Sequence, residues 1–386
     1  MSRELKSLFL LDPGVVYLNH GSFGACPAPV FADYQHWQRE LEREPVQFFG
    51  ARSGPLMAES RAALGKLLNA SGDDLVFFAN PTTACNMVAR SLKLGPGDEV
   101  LSTDHAYGAM ERTFLFLQKS ARFTYTRRAM PLPFTTPAAW VERFLEGVTP
   151  ATKVIFIDHI TSASAVIFPV AEVIRRARAA GIFTIIDGAH APSQIALDLA
   201  ALDPDLYIGA CHKWLCAPKG SAFLYARREH HKWLMPLVVS WGYLPDAEPG
   251  EHNLIDYHEW QGTRDMAPFI ATRAAIQFQR EHDWDTVRAD CHALLRDLRA
   301  RVQALTELPP LYPDDQADHW YSQMATLPLP EVDLNELRQK LWGEHKIEAP
   351  LHRFGEHNVI RISIQGYNTE ADADALVAGL KAGLGR

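Results

Sequence analysis

The stretch FTIIDGAHAPSQIALDLAALDPDLYIGACHKWL, residues 183–215, contains two apolar, strand-like runs that each end at a polar side chain. Asp187 closes the first run and Lys213 follows the second. A carboxylate at the end of a very apolar strand is costly to desolvate without a cationic partner, and apolar neighbours favour the neutral, nucleophilic form of a lysine. Each feature alone is ordinary, because such an aspartate is often a turn former or cap and such a lysine is usually solvated.

Similar strand-like runs recur on both sides of this stretch. They cover residues 74–80, 98–103, 153–160, 182–190, 205–212 and 221–226. Segments with helical periodicity lie between several of them, at 82–94, 110–120 and 170–181. Strands alternating with helices predict an α/β fold with a mostly parallel sheet covered on both faces. Ligands of such sheets bind at the carboxyl ends of the strands, so the polar residues after each run are the candidates for a site.

The length of the chain predicts more than one domain. At 386 residues, 47% of them hydrophobic, the chain exceeds the size at which a single core usually divides. We expect an N-terminal segment at 1–20, a large domain at 21–265 and a smaller C-terminal α+β domain at 266–386. The smaller domain is expected to begin with a long helical stretch at 271–306.

Composition disfavours several classes of protein. The net charge of −8 comes from interspersed acidic and basic residues without a basic stripe, so nucleic acid is not expected as a partner. The N-terminal apolar run, LFLL, is too short for a signal peptide or a membrane span, which predicts a soluble, cytoplasmic protein. Five scattered cysteines without a CxxC pair, and histidines without an HExxH pattern, predict neither disulfides nor a metal. No GxGxxG follows an early strand, which disfavours a nicotinamide-dependent dehydrogenase.

A candidate phosphate site follows the run VFFAN. The residues Pro81-Thr82-Thr83-Ala84 open a helical segment, where hydroxyl and backbone N–H groups are suited to hold a phosphate. The commoner meaning of Thr-Thr at this position is a plain helix N-cap.

The order of these features resembles the class V aminotransferase family of fold type I pyridoxal-5′-phosphate (PLP) enzymes. A phosphate cup comes first, then an acid after a later strand, then a lysine 26 residues after that acid. The resemblance implies a large domain with a mostly parallel sheet, PLP as the cofactor, Lys213 as its Schiff-base lysine and Asp187 as the partner of the pyridine nitrogen. A protonated ring nitrogen makes PLP a stronger electron sink, and the freed lysine can act as the general base at Cα.

The same resemblance implies further cofactor contacts. Thr83, the backbone of Ala84 and His212 are expected to bind the phosphate, and His190 is expected near the phenolic oxygen. Gly262 and Thr263 in EWQGTRD are expected to reach the phosphate of the neighbouring subunit, which implies a homodimer with shared sites. The residue stacked on the ring is either His105 or Tyr107, and the sequence leaves both open.

Substrate contacts are expected from four parts of the chain. Arg361 in VIRISIQGYNTEAD matches the carboxylate-binding arginine of the family, with a structural salt bridge as the alternative role. Ser162 is expected to assist the same carboxylate. Asn19 and Ser22, in YLNHGSFGACP, are expected to face the substrate, with Gly21 and Gly24 letting the backbone approach a ligand. Arg52 is a candidate for a distal acidic group of the substrate, or else a surface arginine.

Three motifs, YLNHGSFGACP, GTRD and HKWL, resemble the isopenicillin N epimerase-like branch of the family. That branch implies epimerase or racemase chemistry at Cα, with His105, Tyr107 or Ser22 delivering a proton to the second face. Elimination by a C–S lyase and transamination remain alternatives, as does a catalytically silent interaction protein. A persulfide-forming cysteine desulfurase is disfavoured because residues 347–363 lack a cysteine, unless Cys26 or Cys211 takes that role.

Overall fold

The computed structural model describes residues 3–246, 254–313 and 320–386. Its strands are Val16–Tyr17 (β1), Leu75–Phe78 (β2), Glu99–Thr103 (β3), Thr124–Arg128 (β4), Thr152–Asp158 (β5), Phe183–Gly188 (β6), Leu206–Ala210 (β7), Ala222–Ala226 (β8), Met324–Leu329 (β9), Ile347–Glu348 (β10), Leu351–Phe354 (β11) and His357–Ser363 (β12).

The α-helices of the described residues are Arg3–Ser7 (α1), His20–Phe23 (α2), Ala28–Arg43 (α3), Pro45–Gln47 (α4), Ser53–Leu68 (α5), Pro81–Ser91 (α6), Gly108–Ala121 (α7), Pro137–Leu145 (α8), Val170–Ala179 (α9), Leu199–Leu202 (α10), Leu254–His258 (α11), Ala267–Ile270 (α12), Thr272–Glu281 (α13), Trp284–Thr306 (α14), Leu334–His345 (α15) and Glu370–Gly383 (α16). A π-helical turn at Phe48–Arg52 precedes α5, and short 3₁₀ turns cover Gly72–Asp74 and Arg228–Trp233.

Seven strands form the central sheet in the order β2-β8-β7-β6-β5-β3-β4. The five strands from β7 to β4 are parallel, and β8 runs antiparallel to both of its neighbours. Helices cover both faces. On one face Phe156 packs against Phe114 of α7, with ring centroids 5.0 Å apart, and on the other Phe77 stacks on Phe269 of α12 at 5.4 Å. The predicted mostly parallel sheet between helices is confirmed.

Each of the six predicted runs contains one strand of this sheet, and the three predicted helices correspond to α6, α7 and α9. The edge strand β4, TYTRR, was not predicted, because its charged and polar residues lack the apolar run of a central strand. The helical stretch expected at 271–306 is helical in the structure but is not one helix. It divides into α13 and α14 at His282-Asp283, where Asp283 has a left-handed φ of 46°.

The C-terminal part contains a separate antiparallel sheet in the order β11-β12-β9. The N-terminal segment joins this part of the fold, because β1 pairs in parallel with β10. The helices α12 and α13, which follow residue 265, pack against α3 and α5 of the preceding region. The domain boundaries at 20/21 and 265/266 stay predictions.

Among the described residues, no helix is both long and apolar enough to cross a membrane.

Candidate active site

A pocket opens at the carboxyl ends of β5, β6 and β7, where the topology predicts a ligand site. It brings together four predicted residues, Asp187, His190, His212 and Lys213, with Ser22 and Tyr107 at its walls. The remaining lining residues are Phe23, Asn80, Pro81, Thr82, Met110, Asp158 and Ala189.

Lys213 lies beyond the end of β7, and its amine is held away from water. Burial lowers the lysine pKa from its ordinary 10.5 to about 8; Asp187 raises it and the Arg361 guanidinium lowers it further. A substantial neutral fraction of this amine therefore exists near neutral pH. That is the protonation state required of a nucleophile.

His190 contacts the lysine amine directly, and Trp214 determines which of its ring nitrogens carries hydrogen. Burial holds the pKa of His190 well below its usual range, so the ring is neutral. Trp214 Nε1 lies 3.3 Å from His190 Nδ1, and an indole N–H can only donate. Nδ1 therefore accepts, and Nε2 carries the hydrogen and donates to Lys213 Nζ at 3.0 Å. This hydrogen bond favours the neutral amine.

Asp187 ends β6 with 2% of its surface exposed, and its Oδ1 accepts a hydrogen bond from the backbone N–H of Ala189 at 3.0 Å. Burial raises the pKa of this carboxyl, while the Ala189 N–H and the Lys213 ammonium lower it. A second carboxyl, Asp158, ends β5 directly beside it and lines the same pocket. Sequence reasoning missed Asp158, although it occupies a strand end in the same way as Asp187.

The N-terminal GSFG segment packs against the lysine's own backbone. Gly24 has a φ of 70°, and a Cβ there would lie 2.0 Å from the carbonyl oxygen of His212. His20 Nε2 donates to the carbonyl of Lys213 at 3.0 Å, while Nδ1 accepts from Tyr367 Oη, also at 3.0 Å. The expectation that Gly21 and Gly24 approach a ligand is corrected: Gly21 packs against Met324 and Ser363, and Gly24 against the lysine loop.

The start of α6 faces the pocket through Asn80, Pro81 and Thr82. Asn80 is the N-cap, and its Oδ1 accepts from the Thr83 backbone at 2.8 Å and from Thr83 Oγ1 at 3.0 Å. Thr83 is thus part of the cap, and Ala84 is fully buried behind it. Of the predicted segment, Pro81 and Thr82 line the pocket and Thr83 and Ala84 do not, so Thr82 is the better candidate for a phosphate contact. The Asn-Pro pair at the helix start was the available signal.

His212 lines the same side of the pocket. Its Nδ1 donates to the carbonyl of Ser221 at 3.0 Å, and burial lowers its pKa to about 4. With Nδ1 occupied, Nε2 is the nitrogen available to a ligand, and it becomes a donor when a nearby anion raises the pKa.

Arg361 on β12 is 6% exposed and bonds only to neutral oxygens. One of its terminal nitrogens donates to Ser162 O at 2.8 Å and Ser162 Oγ at 3.2 Å, and the other donates to Asn19 Oδ1 at 3.2 Å and Ser22 Oγ at 2.7 Å. No carboxylate of the described residues pairs with it, and burial lowers its pKa to about 10. The alternative role, a structural salt bridge, therefore lacks its acidic partner. The arrangement leaves a desolvated cation for an anionic ligand.

The two candidates for ring stacking lie in different places. His105 is outside the pocket: Nδ1 bonds to Ser164 Oγ at 2.7 Å, Nε2 to the Met130 carbonyl at 2.8 Å, and the ring packs on Phe354. Tyr107 lines the pocket, with Lys213 Nζ 5.9 Å from its ring centroid. Tyr107 is accordingly the candidate that remains for ring stacking, and His105 serves the core.

Two further expectations have different outcomes. Arg52 does not reach the pocket, because it forms an ion pair with Glu40 at 3.0 Å and lies over the ring of Phe48. It is a surface arginine, not a ligand for a distal acid. Gly262 and Thr263 do not line the pocket of their own chain, and Thr263 is exposed. Their contact with a neighbouring subunit stays a prediction.

The pocket matches the functional groups of PLP. It presents a lysine with a lowered pKa for an aldehyde, a buried carboxylate for a ring nitrogen, a histidine N–H beside the lysine amine, and a helix start with His212 for a phosphate. These groups lie together because three neighbouring parallel strands end at one edge of the sheet.

A family model for "Aminotransferase class-V" matches residues 25–376. Isopenicillin N epimerase of Amycolatopsis lactamdurans is 33% identical over 382 residues, covering 96% of each chain. A probable chloroplastic L-cysteine desulfhydrase of Arabidopsis thaliana is 28% identical over 407 residues, covering 96% of this chain and 83% of the relative.

Among solved structures, a C-DES variant with glycine covalently linked to the PLP cofactor has a TM-score of 0.82 at 20% identity. The match covers 98% of this chain and 99% of that one. This likeness establishes the α/β fold of PLP enzymes of fold type I.

Proposed function

Because the chain belongs to the aminotransferase class-V family and is a PLP-dependent enzyme of that family, we propose that it acts at Cα of an amino acid or an amino-acid-containing peptide, as an epimerase. The relatives that support the finer assignment are the isopenicillin N epimerases, which match nearly the full length of the chain.

One observation carries the substrate class. Arg361 forms no ion pair with any described residue, and Ser22, which bonds to it, also lines the lysine pocket. A buried guanidinium can donate two parallel hydrogen bonds to a carboxylate, which would here replace hydrogen bonds that Arg361 donates to neutral oxygens. A carboxylate site next to an amine site is the pattern that an α-amino acid satisfies.

PLP, when bound, supplies the electron sink that makes a Cα proton acidic. In the proposed mechanism Lys213 would hold the cofactor, and its amine would be the base that removes the Cα proton. His190 Nε2–H, with its tautomer set by Trp214, keeps a donor beside the lysine nitrogen. Asp187 would stabilise a protonated ring nitrogen, and Arg361 would orient Cα by binding the substrate carboxylate.

Epimerisation requires a second group that returns a proton to the other face of Cα. His105 is removed from the three candidates because it lies outside the pocket. Ser22 donates to Asn19 at 2.6 Å and accepts from Arg361, so its hydroxyl is committed. The hydroxyl of Tyr107 makes no hydrogen bond to any described residue, and we propose Tyr107 as the second acid/base.

The thiols argue against a persulfide mechanism. Cys85, Cys211, Cys216 and Cys291 are buried, and burial raises the pKa of each. Cys26 is partly exposed, yet its pKa is raised to about 12. None of the five lines the pocket, so neither Cys26 nor Cys211 supplies the missing nucleophile.

Elimination by a C–S lyase is the second candidate. The resemblance to the Arabidopsis desulfhydrase over 96% of the chain favours it, and Tyr107 would then protonate the leaving group at Cβ. Both reactions begin with removal of the Cα proton, so the fate of the substrate distinguishes them.

We also propose that the enzyme is a homodimer. Gly262 and Thr263 do not line the pocket of their own chain. The segment 235–244, which precedes them, exposes a run of apolar side chains. The most exposed of these is Trp241, at 88%. Sedimentation of the holoenzyme as a monomer would refute this part of the proposal.

The test incubates the PLP-loaded protein in D₂O with L- and D-amino acids and acylated peptides. NMR follows loss of the α-proton, chiral chromatography follows inversion, and pyruvate and sulfide are assayed in parallel. Deuterium incorporation with inversion and without pyruvate supports the epimerase. Stoichiometric pyruvate and sulfide identify a lyase, and no α-proton exchange with any substrate refutes chemistry at Cα.

Tyr107→Phe and Ser22→Ala form a matched pair for the second face. We expect Tyr107→Phe to retain deuterium exchange in one enantiomer and to lose inversion, because Lys213 still serves its own face. Ser22→Ala should raise KM and leave the ratio of inversion to exchange unchanged. Inversion at the wild-type ratio in Tyr107→Phe would remove Tyr107 from the role.

A further inference from the structure

Two carboxyl groups stand side by side at the floor of the pocket. Asp158 of β5 and Asp187 of β6 are register partners on adjacent parallel strands, so both side chains leave the sheet on the same face. Neighbouring strands lie only about 4.8 Å apart. Each residue is 2% exposed, and both line the pocket.

The two carboxyls differ in their donors. Asp187 accepts the Ala189 N–H at 3.0 Å. Asp158 Oδ2 is completely buried and has no hydrogen-bond partner among the described residues. A negative charge on an oxygen without a donor is far more costly than a neutral hydroxyl at the same place.

The groups that face this pair supply little compensation. Cys85 on α6, Tyr125 on β4 and Tyr207 on β7 are neutral, because burial raises the pKa of each. Backbone N–H groups at Tyr107 and at Asp158 itself partly stabilise the Asp158 carboxylate. Among the described residues, the cation that acts on both carboxyls is Lys213, whose own pKa is lowered to about 8.

We propose that Asp158 is a neutral carboxylic acid at neutral pH and that its proton leaves Asp187 as the only carboxylate of the pair. Like charges at this separation cannot both persist in a desolvated site. Burial and the neighbouring Asp187 charge both raise the pKa of Asp158. Asp158 then presents an O–H donor, not a second negative charge, to the group that occupies the pocket.

The effect of Asp158 on the charge around the cofactor rests on the proposed function, but the protonation state of Asp158 does not. With one carboxylate, the ring nitrogen meets a single compensating charge and the pocket stays near neutrality. With two carboxylates it would carry a net negative charge that holds Lys213 in its ammonium form. Asp158 is therefore assigned as a residue that sets the charge of the cofactor pocket.

Infrared spectroscopy of the cofactor-free full-length protein tests the assignment. At pH 7.5 the exposed carboxyls are ionised, so a carbonyl stretch of protonated carboxyl reports buried acids. We expect this band in the wild type, its loss in Asp158→Asn, and its retention in Asp187→Asn, where desolvation still protonates Asp158. Asp205→Asn is the matched control: Asp205 is buried but paired with Arg227 at 2.9 Å, its pKa is lowered, and its removal should leave the band intact.

Two results would overturn the proposal: no such band in the wild type, or a band lost in Asp187→Asn and retained in Asp158→Asn. Should the variants fold poorly by circular dichroism, a pH titration of the wild-type band replaces them. As the pH is raised, the band is expected to persist above pH 8. A band that is already lost before the pH reaches 6 would refute the assignment. The visible absorbance after PLP is added to the same samples tests the proposed function separately.

Discussion

Two buried arginines show how the pocket differs from the scaffold. Arg61 on α5 pairs directly with Glu259, and both side chains are almost completely removed from water. Arg361 on β12 is equally buried, yet only neutral oxygens of Ser162, Asn19 and Ser22 contact it. A buried arginine with a structural role, such as Arg61, is paired with a carboxylate of the same chain, because an isolated buried charge is costly. An arginine without one indicates that the anion comes from a ligand.

The same difference holds for the other groups of the pocket. Lys213 faces a neutral histidine, and Asp158 has an oxygen without a donor. Away from the pocket, Asp205 is buried but has Arg227, His230 and Thr184 as partners. In these two comparisons the pocket group lacks the charged partner that its counterpart outside the pocket has. Removing the pocket groups should affect chemistry, whereas removing compensated groups should affect stability.

The largest effect is expected for Lys213→Ala. The variant should lose the visible PLP band and all activity, because no other described amine lines the pocket. Its melting temperature should equal or exceed that of the wild type, since a desolvated amine is removed. Absorbance, borohydride reduction and peptide mapping measure the loss of the PLP band, and calorimetry measures the melting temperature. Lys219→Ala, in the same loop, is the control that should keep the band; full activity in Lys213→Ala would refute the assignment.

Arg61→Ala should show the opposite pattern. It leaves the Glu259 carboxylate buried without its partner, which should lower the free energy of unfolding by ~3–5 kcal/mol. Urea denaturation measures this loss. The protein that remains folded should bind PLP as the wild type does, and a stability change below about 1 kcal/mol would show that the pair is better solvated than the structure indicates.

Arg361→Lys should lower kcat/KM about 10- to 100-fold, because it loses the bidentate geometry while it keeps the charge. Steady-state kinetics measures the loss, and unfolding in urea should change little. Equal losses of stability in Arg361→Ala and Arg61→Ala would remove the distinction between the two arginines.

The smallest effect concerns pH. A lysine pKa lowered to about 8 means that the amine is mostly charged below pH 8 and mostly neutral above it. The rate at which the cofactor-free protein captures PLP should therefore rise with pH and level off above about pH 8. Stopped-flow absorbance measures this profile, and a flat profile from pH 6 to 10 would contradict it.

Trp214→Phe should move this midpoint upward by less than about one pH unit, because His190 Nε2 can then accept from a charged lysine. Trp320→Phe is the matched control: this tryptophan is equally buried, and its indole N–H has no partner among the described residues. A downward shift in Trp214→Phe would reverse the tautomer assignment.

Much of the site was predictable because strand ends are local features of the sequence. Asp187, His190 and Lys213 follow apolar runs, and all three line the pocket. Errors arose where local signals are ambiguous. Thr82, not Thr83, faces the pocket because the N-cap is Asn80, and Arg52 is ion-paired because the turn at Phe48–Arg52 directs it towards Glu40.

The sequence alone determined six of the seven strands of the central sheet, their order along the chain and the chemical types at their ends, because hydrophobic periodicity and turn residues act over a few positions. The tertiary structure alone decided which groups meet. It placed Tyr107 in the pocket and His105 in the core, set Asp158 beside Asp187, and surrounded Arg361 with neutral oxygens from residues more than 190 positions away. These relationships depend on strand order and packing between distant segments, and both the electrostatics and the tautomers of the site follow from them.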